Sequence, residues 1–219
     1  MCLDLIFANY SVATHSVVAC DQTDGTTSCG SLVVVAHDVK AVVVAFRGTK
    51  GKTQFLVETN VLAFIDPVSW PPGGKVGAYF FRAFNDLWDS GVGEILEKVL
   101  EDYPDYELWI GGHSLGGSLG TLTANLIDSE IEYSFRIVNK RDVIVHLPPK
   151  GYRGARHHGR EIWYKNGMLA STSSNFLQCN NQESKNCSEG LKVFYRYKDH
   201  HKYFGIYMTT WGRRNCQGD

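Results

Sequence analysis

The chain has 219 residues, 43% of them hydrophobic and 21% charged, an ordinary globular balance that excludes disorder, collagen and coiled coil. It is long enough to bury a core and reads as a single domain over residues 1–219. With 22 Lys and Arg against 23 Asp and Glu, the net charge of −1 argues against a nucleic-acid partner, and no apolar run reaches the roughly 18 residues that would span a bilayer.

Met1–Ala8 does not read as a signal peptide, since it lacks a basic start and its apolar stretch is short. Ser31–Ala36 and Lys40–Phe46 are β-branched runs around a short turn, which predicts an antiparallel hairpin. Gly48–Lys52 breaks that pattern, and Trp70–Gly74 is a Pro- and Gly-rich loop. Phe84, Trp88, Val92, Ile95, Leu96 and Val99 recur at helical spacing, predicting a helix over Ala78–Asp102 that Gly91 and Gly93 weaken without ending. Tyr106–Ile110 predicts a strand and Ser114–Asp128 a helix. Ser134–Val138, Glu161–Tyr164 and Lys192–Tyr197 read as further strands, and the alternation argues a mixed α/β sheet.

The six cysteines form no C-x-x-C pair, which leaves a zinc ribbon or thioredoxin-type site unsupported. Their spacing reads as local bridges Cys20–Cys29 and Cys179–Cys187 with a Cys2–Cys216 clasp; six free thiols in a reducing compartment is the alternative. The sequons at Asn9 and Asn186 agree with an extracellular, secreted chain.

Tyr106–Ile110 runs into Gly112-His113-Ser114-Leu115-Gly116, which opens a helix. This is G-x-S-x-G in the setting of strand, sharp turn and helix that presents a nucleophilic serine. Glycines two positions either side of the serine let strand and helix approach without a side-chain clash. The helix N-terminus brings unbonded N–H groups to a developing oxyanion, one of them the N–H of Leu115.

Phe46-Arg47-Gly48-Thr49, Gly112–Gly117 and Asp199-His200-His201-Lys202-Tyr203-Phe204, in that order, resemble the class 3 (fungal-type) lipases. The resemblance extends from about Cys20 to Phe204 and includes the cysteine pattern of secreted members. Gly74-Lys75-Val76, the Trp-Pro loop and Leu147-Pro148-Pro149 are similar to a nematode-like branch of that family. The resemblance implies an α/β-hydrolase with Ser114 as nucleophile and His200 as base, His201 being the rival. It implies a second oxyanion donor at Thr49 and a lid over Lys50–Thr59, for which a plain surface loop is the alternative. The order Ser, Asp, His and a strand-end position select Asp142 as the acid, ahead of Asp199, whose chain neighbour is the base, and of Asp128, late in a helix. His113 points the wrong way to serve its neighbour, and His157-His158 has no further ligand at metal spacing.

Only 28 positions separate Ser114 from Asp142, and a helix of about fifteen leaves barely a turn before the next strand. The resembled family places a further central strand in this interval, so the resemblance implies an α/β-hydrolase with a mostly parallel central sheet, lacking one central strand between the Ser114 and Asp142 segments. The expected function is a serine esterase or lipase acting on lipid esters such as triacylglycerol. It would work as a monomer, at a lipid–water interface, without metal or cofactor. The alternative is a catalytically inactive lipase-like protein that binds lipid or a partner, or a truncated isoform. A metal-dependent hydrolase resting on the paired histidines is a third reading.

Overall fold

A computed structural model describes residues 2–20, 27–48, 66–127, 133–168, 175–181, 183–191 and 195–217. Its contacts cluster into two units: an N-terminal unit, Leu3–Ile131, and a C-terminal unit, Glu132–Asp219 with Met1–Cys2.

The N-terminal unit is built on a four-stranded sheet, whose first three strands are β1 (Tyr10–Ala19), β2 (Ser28–Ala36) and β3 (Ala41–Phe46). The hairpin β2–β3 pairs antiparallel from Ser31↔Phe46 to Ala36↔Ala41, as the β-branched runs predict. A two-stranded ribbon follows, of β4 (Pro67–Ser69) and β5 (Lys75–Gly77). The expected long helix is broken into α1 (Ala78–Leu87) and α2 (Gly93–Asp102). Gly91 adopts φ +100°, which ends the first segment in a wide turn over Trp88–Val92. Gly93 is then obligatory, because a Cβ there would lie 2.4 Å from the Trp88 indole.

The fourth strand, β6 (Glu107–Gly112), is parallel to β3 from Ala41↔Glu107 to Phe46↔Gly112, so the two strands end level. Helix α3 (Leu115–Ile127) follows at once. One face of the sheet buries Val33, Val35, Val42, Val44 and Phe46 against Phe84, Leu87, Leu96 and Leu119, and the other covers Val34 and Ala36 with Leu3 and Phe7. Burial on both faces explains why β2 and β3 read as continuous apolar runs. β1 was not expected from sequence. It lies at the sheet edge, antiparallel to β2, and is half-exposed along its length, so its alternation is weak.

The C-terminal unit holds a three-stranded sheet of β7 (Phe135–Asn139), β8 (Arg160–Tyr164) and β9 (Leu177–Cys179), the first pair parallel and the second antiparallel. Among the named strands of the described residues, parallel pairing occurs in β3–β6 and β7–β8, the strands that lead to the elbow and to Asp142. Val138, Trp163 and Cys187 form one small core, and Tyr164, Met168 and Tyr203 another. The disulfides are Cys2–Cys216, Cys20–Cys29 and Cys179–Cys187, the expected set. The strand expected over Lys192–Tyr197 is not formed where it is described: Arg196 makes a single bridge to Asp142, and Tyr197–His200 is a turn of 3₁₀ helix. The short strands β10 (Lys202–Tyr203) and β11 (Ile206–Tyr207) lead into α4 (Met208–Arg213).

The serine strand β6 and the acid strand β7 belong to different sheets. Among the described residues β6 pairs only with β3, and β7 only with β8, as expected of a chain without the intervening strand.

Candidate active site

Ser114 stands between β6 and α3 with φ +61°, left-handed backbone that a residue with a Cβ adopts at a cost of about 1–2 kcal/mol. The turn is held by hydrogen bonds from Gly116 N–H to His113 O (3.0 Å) and from Gly117 N–H to Ser114 O (2.9 Å). A Cβ on Gly112 would meet the Gly116 carbonyl at 2.2 Å, and one on Gly116 would meet the Phe46 carbonyl oxygen at 2.2 Å. These two glycines let strand, turn and helix cross in contact. A Cβ on Gly48 would lie 2.8 Å from His113 O, so the end of β3 runs directly beside the serine turn. Arg47 fixes that strand end: its N–H donates to Gly30 O (2.8 Å) and its guanidinium to the Ser28 carbonyl (2.5 Å) and hydroxyl (2.9 Å). Leu115 is the first residue of α3, where a backbone N–H has no intrahelical acceptor. Thr49, the candidate second oxyanion donor, and the candidate lid Lys50–Thr59 lie outside the described residues, as does Asp128.

Within the C-terminal unit, Asp142 follows β7 and is 0% exposed. Its N–H donates to Asn139 O (3.0 Å), and the Arg196 N–H donates to Arg141 O (2.6 Å), which ties the acid turn to the chain entering the His200 segment. The Asp142 carboxylate accepts three hydrogen bonds. His200 Nδ1 donates to Oδ2 at 2.9 Å, the Tyr203 hydroxyl donates to the same oxygen at 2.5 Å, and the Ile144 N–H donates to Oδ1 at 2.8 Å. Burial opposes the charged carboxylate. The hydrogen bond and charge of His200, with Tyr203 and Ile144, outweigh it and hold the Asp142 pKa below its usual value. Burial and the Asp142 charge push the Tyr203 phenol up, so it stays a hydrogen-bond donor.

His200 is 3% exposed and reaches Asp142 from the 3₁₀ turn. The rival His201 instead packs edge-on to Tyr197, ring centroids 4.4 Å apart, and lines a surface cleft. Asp199 accepts from the Arg141 N–H (3.2 Å). His157 pairs with Glu183 (2.9 Å), and no group of three potential metal ligands exists among the described residues.

Two residues were missed by the sequence reading. Tyr203 stands in the Asp-His-x-x-Tyr-Phe segment, three positions after the candidate base, and that spacing was its signal. His146 has no such signal. It is buried, and its Nδ1 donates to the Asp142 carbonyl (2.8 Å) while Nε2 accepts from the Ser188 hydroxyl (2.9 Å), closing the acid turn from behind. Burial pushes its pKa down, which keeps the ring neutral. Ser188 follows Cys187 directly, and its N–H donates to the buried Glu161 (3.0 Å), so the Cys179–Cys187 loop is anchored against the acid turn.

The family model for lipase (class 3) matches residues 43–130. A lipase of Caenorhabditis elegans is 27% identical over an alignment of 268 positions that covers 95% of this chain and 73% of that protein. The alignment is longer than this chain, so that relative carries segments absent here. A secreted alkaline triacylglycerol lipase of Penicillium cyclopium is 26% identical, covering 86% of this chain and 75% of that one. The chain spans as little as 48% of other lipases it matches. The solved structure of lipase II from Rhizopus niveus superposes with a TM-score of 0.73 at 23% identity, over 91% of this chain and 82% of that one. The segment that matches the class 3 lipase model thus carries the serine elbow, and the superposition shows that the chain has the α/β-hydrolase fold of these lipases.

Proposed function

We propose that the chain is a serine esterase that hydrolyses carboxylic ester bonds of lipids, triacylglycerol being the favoured substrate, with residues 1–219 acting as one hydrolase. Ser114 Oγ attacks the ester carbonyl. His200 Nε2 takes its proton and returns it to the leaving alcohol, which departs and leaves an acyl group on Ser114. His200 then activates water to release the fatty acid. Asp142 holds His200 with Nδ1–H inward, so that Nε2 is the basic nitrogen, and stabilises the imidazolium that forms. The N–H groups of Leu115 and Thr49 take the oxyanion.

The buried Asp142–His200 contact at 2.9 Å is the observation that supports this reading most, because a carboxylate hydrogen-bonded to imidazole Nδ1 is the arrangement that fixes a base's tautomer. The left-handed, half-buried Ser114 supports it from the other unit: such backbone strain clusters at functional sites. The three disulfides support an extracellular setting. The test is hydrolysis of short and long p-nitrophenyl esters by the oxidised chain beside Ser114→Ala. Activity that disappears in the variant supports the proposal, and a preference for long acyl chains separates lipase from soluble esterase. A second reading, a non-catalytic lipid- or protein-binding relative, is favoured by one observation: the serine strand and the acid strand lie in different sheets. Inactivity of well-folded protein would select it.

A further inference from the structure

The near-zero net charge of the chain conceals a strong asymmetry. Residues 132–219 hold fifteen Lys and Arg against seven Asp and Glu, a formal charge of +8, while residues 1–131 hold seven against sixteen, a charge of −9. Such a division between two parts of one chain points to an anionic partner for the cationic part. The C-terminal unit also contains a half-open cleft of about 570 Å³, formed around the chain that carries His200. Lys140, Lys198 and Lys202 line it, with His201 and Asp199. Among the described residues, none of the three lysines forms an ion pair with a carboxylate, and the Asp199 carboxylate is engaged by the Arg141 N–H.

Two further features give the ligand its chemistry. Asn139, another residue of the cleft wall, is buried; its amide nitrogen donates to the Asp199 and Lys202 carbonyls (3.0 and 2.8 Å), while its Oδ1 has no hydrogen-bond partner among the described residues. A ligand with a hydroxyl or ammonium group beside its anion would satisfy that oxygen. Tyr207 in the cleft wall is 48% exposed, with the Lys202 ammonium 5.0 Å from its ring, and Phe204, two residues after Lys202, is 43% exposed. Basic and aromatic side chains interleaved on one surface suit the headgroup layer of a membrane, where the cations meet phosphates and the rings enter the interface.

We propose that this cleft binds the anionic headgroups of a phospholipid surface and seats the C-terminal unit on it. The inference stands apart from the esterase reading, because the lipid held at the cleft is the surface and not the ester being cleaved. The headgroup phosphate sits among Lys140, Lys198 and Lys202, and its neighbouring hydroxyl or ammonium donates to Asn139.

Co-sedimentation of the Ser114→Ala protein with vesicles tests this without hydrolysis. Vesicles of phosphatidylcholine alone are compared with equimolar phosphatidylcholine and phosphatidylglycerol. Binding is expected to the anionic vesicles only and to weaken as salt is raised. Replacing Lys140, Lys198 and Lys202 together by Gln should weaken it about a hundred-fold, roughly five-fold per lysine, and replacing all three by Arg should restore it. Phe204→Ser should weaken it as well. Single Lys→Gln variants carry the test if the triple variant does not fold. Equal binding to both vesicle types, or undiminished binding by the natively folded Gln variants, overturns the proposal. Heparin that competes for the site regardless of Phe204→Ser, or glycerol 3-phosphate that binds as tightly as vesicles, also overturns it. Loss of p-nitrophenyl ester hydrolysis bears on the esterase reading alone, because vesicle binding is read in a protein without its nucleophile.

Discussion

The Tyr203 hydroxyl and His200 Nδ1 converge on one oxygen, Asp142 Oδ2, at 2.5 and 2.9 Å. Both donors are buried, so the carboxylate is held from two sides and cannot rotate away from the imidazole. Tyr203→Phe removes one donor and leaves the oxygen in a dry site. It is expected to cost about 1–2 kcal/mol of stability and to lower kcat/KM about ten-fold, a value that steady-state kinetics on a soluble ester checks.

The elbow glycines give a contrast within one turn. Gly112→Ala and Gly116→Ala each drive a methyl group to 2.2 Å from backbone, while a Cβ on Gly111 meets nothing within 4 Å. The first two are expected to destabilise the fold by at least about 2–3 kcal/mol, and Gly111→Ala by less than about 1 kcal/mol. Chemical denaturation of the three variants checks the order.

Ser114 itself carries backbone strain. Ser114→Gly is expected to be at least as stable as Ser114→Ala, by about 0.5–1 kcal/mol, the reverse of their order at an ordinary helical position. Thermal unfolding of the two inactive variants measures it.

The acid turn makes stability depend on pH in two windows. Asp142 has a depressed folded pKa. Its contribution is present above the unfolded value of about 3.9 and is lost as pH falls through the lower folded value. Asp142→Asn should therefore be less stable than wild-type at neutral pH, with the gap closing below about pH 4. His146 is also depressed, so it favours the folded state above its unfolded value of about 6.5; below that the unfolded chain takes up the proton more readily and stability declines. His146→Gln should flatten the decline just below pH 6.5. Melting temperatures across pH 3–8 test both signs.

What was legible in the sequence is what local chemistry dictates. The Ser114 elbow can be read because its glycines are required by clashes with neighbours close in sequence, or with the one strand end that Phe46–Gly48 announces. The hairpin β2–β3 can be read because burial on both faces leaves residues 32–36 and Ala41–Phe46 apolar throughout. Cys20–Cys29 and Cys179–Cys187 can be read because each closes a short loop. What was not legible depends on partners far along the chain. β1 is a strand because β2 offers it an edge, and its half-exposed alternation is too faint to announce it alone. The break at Gly91 turns on the fit of Trp88 against Gly93. Tyr203 and His146 acquire their roles only when Asp142 arrives between them, about sixty residues before one and four before the other.

The account rests on an activated Ser114, and an organophosphate tests that most directly. The oxidised chain is incubated with paraoxon and its adducts are located by peptide mass spectrometry. The account predicts one diethylphosphoryl adduct, on Ser114, whose formation slows by at least about a hundred-fold in His200→Ala. Folded protein that acquires no adduct, or acquires one at Ser114 at the same rate without His200, would contradict it.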